Sequence, residues 1–395
     1  MRSHILKRCE KKKSELTSKL DFRHKNDLRP SVTMDEYQSV DGRKFMNCNL
    51  HHHESVPDNL GLKRARGSLP ADKIKSLLSE HLSDFNVDLK SCAALVTDGA
   101  AVMNALGRKV DCIHLQCMSH GINLSVTDII FPKKKKKDDE DQETQLDFFI
   151  EMIYGSEINV DEDDTTVEIQ LEHVDDTPEA ELPDINPIYQ EPVEKLRGIS
   201  RKFHNSCKRK DCLEDILLKS QGKKVVIPLD VVTRWNSTKT MIHVALSIIE
   251  ELELACKRQK IPWTLDDEDV SKLRELDEAL SPLEEAINGL GAHGVGLLYA
   301  ENIYQICYEE LDLLNTDIAR KLKQNFFDRV DSRRNPTLVH LLNFLSDPDY
   351  VSDNREDFFG HEINKGGLIL EGIFNLVPSK CVPNYYPQLF NLKIS

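Results

Sequence analysis

Leu95-Val96-Thr97-Asp98-Gly99-Ala100-Ala101-Val102-Met103 is a short apolar run that ends in a carboxylate and then opens a helix. Such a run predicts a buried strand over Cys92–Val96 with an acid held at its end, where a sheet meets solvent. Working outward, Ala100–Leu106 reads as a helix start, Asp111–Cys117 as a second strand and Gly121–Ile130 as a helix. Upstream, Val32–Gln38 and Lys44–Leu50 alternate as strands around an Asp41-Gly42 turn signal, which predicts a hairpin. Ala71–Phe85 carries Ile74, Leu77, Leu78 and Leu82 at helical spacing. Hairpin, helix, strand, helix, strand, helix is an α/β layer.

The second half is different. Val193–Leu218 reads as one or two helices, Lys223–Leu229 as a strand, and Thr238–Cys256 as one amphipathic helix with Met241, Val244, Ile248 and Leu252 on a stripe. Val270, Leu273, Leu276, Leu280, Leu283 and Ile287 repeat at three and four residues, and Leu297–Leu322 and Leu338–Leu345 continue the helical period. Residues 1–25 read as a basic helix fraying at the terminus, and the tail from Gly360 has little periodicity.

At 395 residues the chain can bury a sizeable core in two domains. Its net charge of −15 misleads until it is located. Residues 138–184 hold 19 Asp and Glu and no Lys or Arg; the rest has 52 basic against 48 acidic residues, a balance of +4. One-signed charge with low apolar content cannot repay the ordering cost of about 1–2 kcal/mol per residue, so this stretch is expected to be disordered. The weakly basic remainder suits nucleic-acid contact. Ten scattered cysteines without a Cys-x-x-Cys pair predict reduced thiols, and no apolar run reaches the ~18–20 residues of a membrane span.

Among residues that could carry chemistry, Asp98 has the position a metal-binding carboxylate requires, although an acid before a helix also caps backbone N–H groups. Asp35, in Ser31-Val32-Thr33-Met34-Asp35-Glu36-Tyr37, is a second acid in a strand. Cys112, His114, Cys117 and His120 have metal-ligating side chains, but their spacing fits no common finger and a strand would turn Cys112 and His114 away from Cys117. Zinc is therefore not expected, and Cys117 and His120 read as supports for the acid-bearing edge. His51-His52-His53 alternate faces on a strand end and read as solvated. Pro132 followed by Lys133–Lys137 has the form of a nuclear-import signal, and equally of a run that neutralises the acidic tract.

Taken in order, four segments resemble the hAT family of DNA transposases. Ser31 to Met46 resembles the first-acid strand and its hairpin, and Leu95–Met103 the second-acid strand and helix. Cys117-Met118-Ser119-His120-Gly121-Ile122-Asn123-Leu124 resembles the family's Cys-x-x-His segment with its Leu-rich helix. Thr233-Arg234-Trp235-Asn236-Ser237-Thr238 resembles the Thr-Arg-Trp-Asn-Ser box, the most specific of the four. The resemblance covers roughly residues 30–130 and 193–350. It implies a ribonuclease-H-like mixed sheet with flanking helices, interrupted by the acidic insertion and by an α-helical insertion domain. The implied parts are a basic segment 1–29, core 30–131, acidic insertion 132–190, core again 191–237, helical insertion domain 238–350 and a divergent tail 351–395. Asp35 and Asp98 match the first two catalytic, metal-binding acids, which would share Mg²⁺ or Mn²⁺ if the site works. Arg234 and Trp235 match the aromatic box, which implies contact with DNA and stacking on an unpaired base. A helix-start core role is the other reading of Trp235.

Some positions depart from the family pattern. Tyr37-Gln38 stands where many members have Trp-Thr, and Gly99 where Asn is usual. The Ser-x-x-x-Glu-Arg motif bearing the third acid is missing; Glu356, Glu362 and Glu371 are the only late glutamates. The BED-type zinc finger and the C-terminal dimerisation region are missing as well. The expectation is a truncated, transposase-derived nuclear protein that binds DNA or a nuclear partner without cutting it, with homo-oligomerisation open and neither a membrane nor a small-molecule substrate as partner. An active metal-dependent transposase and a protein-interaction scaffold are the alternatives.

Overall fold

The computed structural model describes residues 17, 29–39, 42–52, 56–131, 186–231, 234–292, 295–347 and 356–363. The expected basic N-terminal helix, the lysine run, residues 132–185 of the acidic insertion and Glu371 lie outside the described residues, apart from Thr17 in the first; the last residues assigned to that insertion, 186–190, are instead ordered, as Asn186 accepts the Ile188 N–H and a helix runs Pro187–His204. Among the described residues there are five strands in one mixed sheet and eleven α-helices, an α/β architecture. None of these helices is long and apolar enough to cross a membrane. The chain divides into two compact units: residues 1–122, 286–306 and 327–395 form the first, and residues 123–285 and 307–326 the second.

The first unit holds the sheet. Strands β1 (Ser31–Gln38), β2 (Lys44–His51), β3 (Asp58–Ala65), β4 (Ala94–Thr97) and β5 (Ile113–Gln116) lie in the order β3-β2-β1-β4-β5. The first three are antiparallel neighbours, whereas β4 runs parallel to both β1 and β5. Val32 and Met34 of β1 alternate inward with Met46, Cys48 and Leu50 of β2. They pack with Ile74, Leu78 and Leu82 of helix α1 (Ala71–Ser83) and with Met103 and Leu106 of helix α2 (Ala101–Gly107).

Strand β3 was not expected from the sequence. Its buried Leu60 and Ala65 are five residues apart, so a regular period of two would send them to opposite faces. One extra residue opposite Asn47–Asn49, with Gly61 at φ +84°, restores the phase by a bulge. Helix α3 (Met118–Ile130) follows β5.

The described residues beyond the sheet are mostly helical: α4 (Pro187–His204), α5 (Cys207–Ser220), α6 (Trp235–Ser247), α7 (Ile249–Arg258), α8 (Asp267–Gly291), α9 (Leu297–Leu313), α10 (Asp317–Asp331) and α11 (Pro336–Ser346). Three expectations need correction. Lys223–Leu229 forms no strand: Val226 is 70% exposed, and a β-branched run without a neighbouring strand cannot satisfy its backbone in a ladder. The helix expected over Thr238–Cys256 begins earlier, at Trp235, and is broken at Ile248, whose φ of −132° is not helical. The helix expected over Leu297–Leu322 is two, parted near Asn315, which has φ +52°.

Candidate functional site at the carboxyl edge of the parallel strands

Thr33 of β1 faces Val96 of β4 in parallel register, and two residues further along each chain come Asp35 and Asp98. The two acids therefore sit at corresponding positions on neighbouring chain segments. Cys117, immediately after β5, donates its backbone N–H to Thr97 O (2.6 Å) and brings a third side chain to this edge. Burial pushes the Cys117 thiol up, and the charges of both Asp35 and Asp98 push it further, so both carboxylates lie within electrostatic reach of one sulfur. It stays a thiol at neutral pH.

The two acids are held differently. Asp98 is buried, and its Oδ1 accepts the N–H of Ala100 (2.9 Å), two residues on, which closes a local turn just ahead of α2 without capping the helix itself. Asn104 Nδ2 donates to Gly99 O (3.0 Å) and Gln116 Nε2 donates to Asn104 Oδ1 (2.9 Å), which locks the Asp98-Gly99 turn onto β5. Asp35 is exposed, yet the protein packed around it raises its carboxyl above the ordinary range by desolvation.

Arg333, just beyond α10, is the residue that sequence reasoning missed. A Cβ added to Gly99 would lie 3.2 Å from Arg333 Nη2, and one added to Gly121 would lie 2.8 Å from Arg333 Cδ. The two glycines thus clear the space in which the guanidinium lies beside Asp98's neighbour. His120 feels it: burial first, then the charges of Arg333 and Arg329, lower its pKa to about 4, so the ring is neutral at pH 7. No local signal marks Arg333, because its relation to Gly99 spans more than 200 residues of chain.

The donor set does not fit a two-metal site. Two Mg²⁺ ions ~3.5–4 Å apart need about three carboxylates. This edge supplies Asp35 and Asp98 with a protonated thiol, and among the described residues no group of three or more His, Cys, Asp or Glu is placed to hold a metal ion. Glu356 and Glu362 are exposed, and their backbones pair as an isolated antiparallel β-bridge. The buried late acid is Asp357, between them. Its carboxyl is pushed up by burial but held below the ordinary range by the His361 N–H (2.9 Å), by Arg334 (2.7 Å) and by His340 (2.9 Å). It anchors residues 356–363.

Cys112, His114 and His51 have structural surroundings. Cys112 is buried, and His114 shares a 2.9 Å hydrogen bond with Thr97 Oγ1. His51 is half-buried at the end of β2 and bonded to Thr33 Oγ1 (2.9 Å), rather than solvated, and His53 lies outside the described residues.

Arg234 and Trp235 belong to the second unit. Trp235 is fully buried and its Nε1–H donates to Asn123 Oδ1 (3.2 Å), which is the helix-start core position; neither face of the indole is open to a base in this structure. The box is fixed by Asp230, whose Oδ2 accepts from Arg197 Nε (2.8 Å) and Nη2 (2.6 Å) and from Thr238 Oγ1 (2.9 Å). Ser237 Oγ closes the turn by donating to Arg234 O (2.8 Å) and accepting the Val231 N–H (2.9 Å). Thr233 lies outside the described residues.

Compared with known families and with curated proteins, the chain matches no family model and no curated protein.

Proposed function

We propose that the chain is a hAT-transposase-derived protein whose sheet is a ribonuclease-H-like core, and that it binds DNA in the nucleus without cutting it. The strand order supports the ribonuclease-H-like reading: an antiparallel β1–β3 meander continued by parallel β4 and β5, with Asp35 and Asp98 on adjacent parallel chains. The observation that carries the non-cleaving half is the guanidinium of Arg333 over Gly99 and Gly121. It brings a positive charge against Gly99, the residue that follows Asp98, and that charge would repel a divalent cation seeking the neighbouring carboxylate. Asp35, Asp98, Cys117 and His120 then serve as a structural edge, with Asp98 fixing the turn into α2 and His120 kept neutral by burial and by the charges of two arginines. The DNA-binding half draws on the +4 balance outside residues 138–184 and on the four segment resemblances.

Binding of a labelled duplex in EDTA, measured over a salt series, tests the reading. It expects affinity that needs no divalent ion and falls steeply as salt rises. Failure to bind duplex DNA at low salt would leave the scaffold alternative.

A further inference from the structure

We propose that the open hollow at the β1–β2 turn and the end of β3 is the surface that grips the DNA phosphate backbone. This rests on the DNA-binding reading above and assigns it a place. The hollow, about 610 Å³, is lined by Gly42, Arg43, Lys44, Arg64, Arg66 and Gly67 among others, and among the described residues no carboxylate lines it. Arg43 and Arg66 flank it on the two turns, while Lys44 and Arg64 come from the ends of paired strands, where Lys44 faces Ala65 and Phe45 faces Arg64. Arg43, Arg64 and Arg66 are exposed.

Three observations say that the charge is presented outward. Lys44 is matched by Glu36 at 2.9 Å, but among the described residues the side chains of Arg64 and Arg66 make no ion pair or hydrogen bond. The turn after β3 is fixed without them: Lys73 Nζ donates to Arg66 O and to Ser68 O (3.0 Å), so the Arg66 backbone is pinned while its side chain extends. Gly42 and Gly67, at φ +75° and +68°, shape the two turns; a Cβ on either would meet nothing closer than 3.8 Å, so the rim is uncrowded.

The chemistry selects the ligand. The hollow is open and its cations are spread along two strand ends, which suits a linear polyanion. Among the described residues no aromatic ring lines it, which gives unpaired bases nothing to stack on there, and arginines that meet phosphates fix position without reading sequence. Because β3 is the sheet's outer strand, a duplex can reach this end of the hairpin without displacing another strand.

The test compares the full chain with R64E/R66E and with the control K208E/K210E, which reverses two exposed lysines of α5 and changes net charge equally. Affinity for a labelled duplex is read by fluorescence anisotropy across a KCl series, with circular dichroism to show that each variant is folded. R64E/R66E is expected to bind at least about tenfold more weakly at low salt and to flatten the log K against log salt slope by about 2, near 0.9 per lost phosphate contact. K208E/K210E should stay within about threefold of wild type. If wild type binds and R64E/R66E loses no more than the control, this contact is overturned while the DNA reading stands. If wild type binds no duplex, the DNA reading falls and this inference with it.

Discussion

Replacing Asp230 with alanine removes the carboxylate that organises the start of α6. Arg197 presents two nitrogens to Asp230 Oδ2, and both side chains are nearly sealed from solvent, at 2% and 4% exposure. The remaining partner of the guanidinium is Glu194, whose side chain is half exposed. Leaving a buried cation with only that partner should cost about 3–5 kcal/mol, the range for breaking one side of a buried pair. Thr238 Oγ1 loses its acceptor in the same variant. Removing both charges is different: Arg197→Met with Asp230→Leu should recover most of the loss, because neither group then pays for desolvation. Urea unfolding followed by tryptophan emission suits the assay, since Trp235 lies in the same compact unit. A single variant that loses under about 1 kcal/mol, the level of an exposed pair, would refute the reasoning. So would a double variant as unstable as the single one.

Trp235→Ala should destabilise the second unit by about 3–5 kcal/mol, the cost of emptying a fully buried aromatic site, in urea unfolding followed by emission of Trp263, which stays in that unit; a loss below about 1 kcal/mol would mean that the indole is not core. His120 sets a pH dependence. Its folded pKa is about 4 against 6.5 for the free group, so the unfolded chain takes the proton first; its contribution is whole above pH 6.5 and lost as pH falls towards 4, by roughly 3 kcal/mol at most. His120→Gln should flatten the stability profile between pH 6.5 and 4, and an unchanged profile would count against the buried, arginine-flanked ring. Arg333→Gln should raise the His120 pKa, but only part of the way because burial is the larger cause, and an NMR titration of the ring reads this directly.

How much of this was legible depended on the range of the interactions. The β1–β2 hairpin, β4, β5 and the helices between them follow from period and turn chemistry, and the carboxyl edge with Asp98 follows from one apolar run ending in an acid. Strand β3 was hidden because Gly61 and the bulge break its alternation just where a period of two would have been read. Lys223–Leu229 misled for the opposite reason: Val225, Val226 and Ile227 have β propensity, but propensity is realised only against a neighbouring strand. Breaks at Ile248 and Asn315 lie inside uninterrupted apolar stripes, so periodicity alone carried the helices across them. In the site itself, Trp235 as a helix-start core residue was readable from Trp-Asn-Ser-Thr. Arg333 over Gly99, and Arg197 against Asp230, were not, since tertiary packing pairs them across long stretches of chain.

The central claim is that the edge carrying Asp35 and Asp98 holds a resident arginine and does not cut DNA. The most direct measurement is strand nicking of a supercoiled and a linear duplex by the purified full chain in Mg²⁺ and in Mn²⁺, with Asp98→Asn alongside. The account expects both proteins to leave the DNA intact while the wild type still retards it on a gel. Metal-dependent nicking by the wild type that Asp98→Asn abolishes would contradict it.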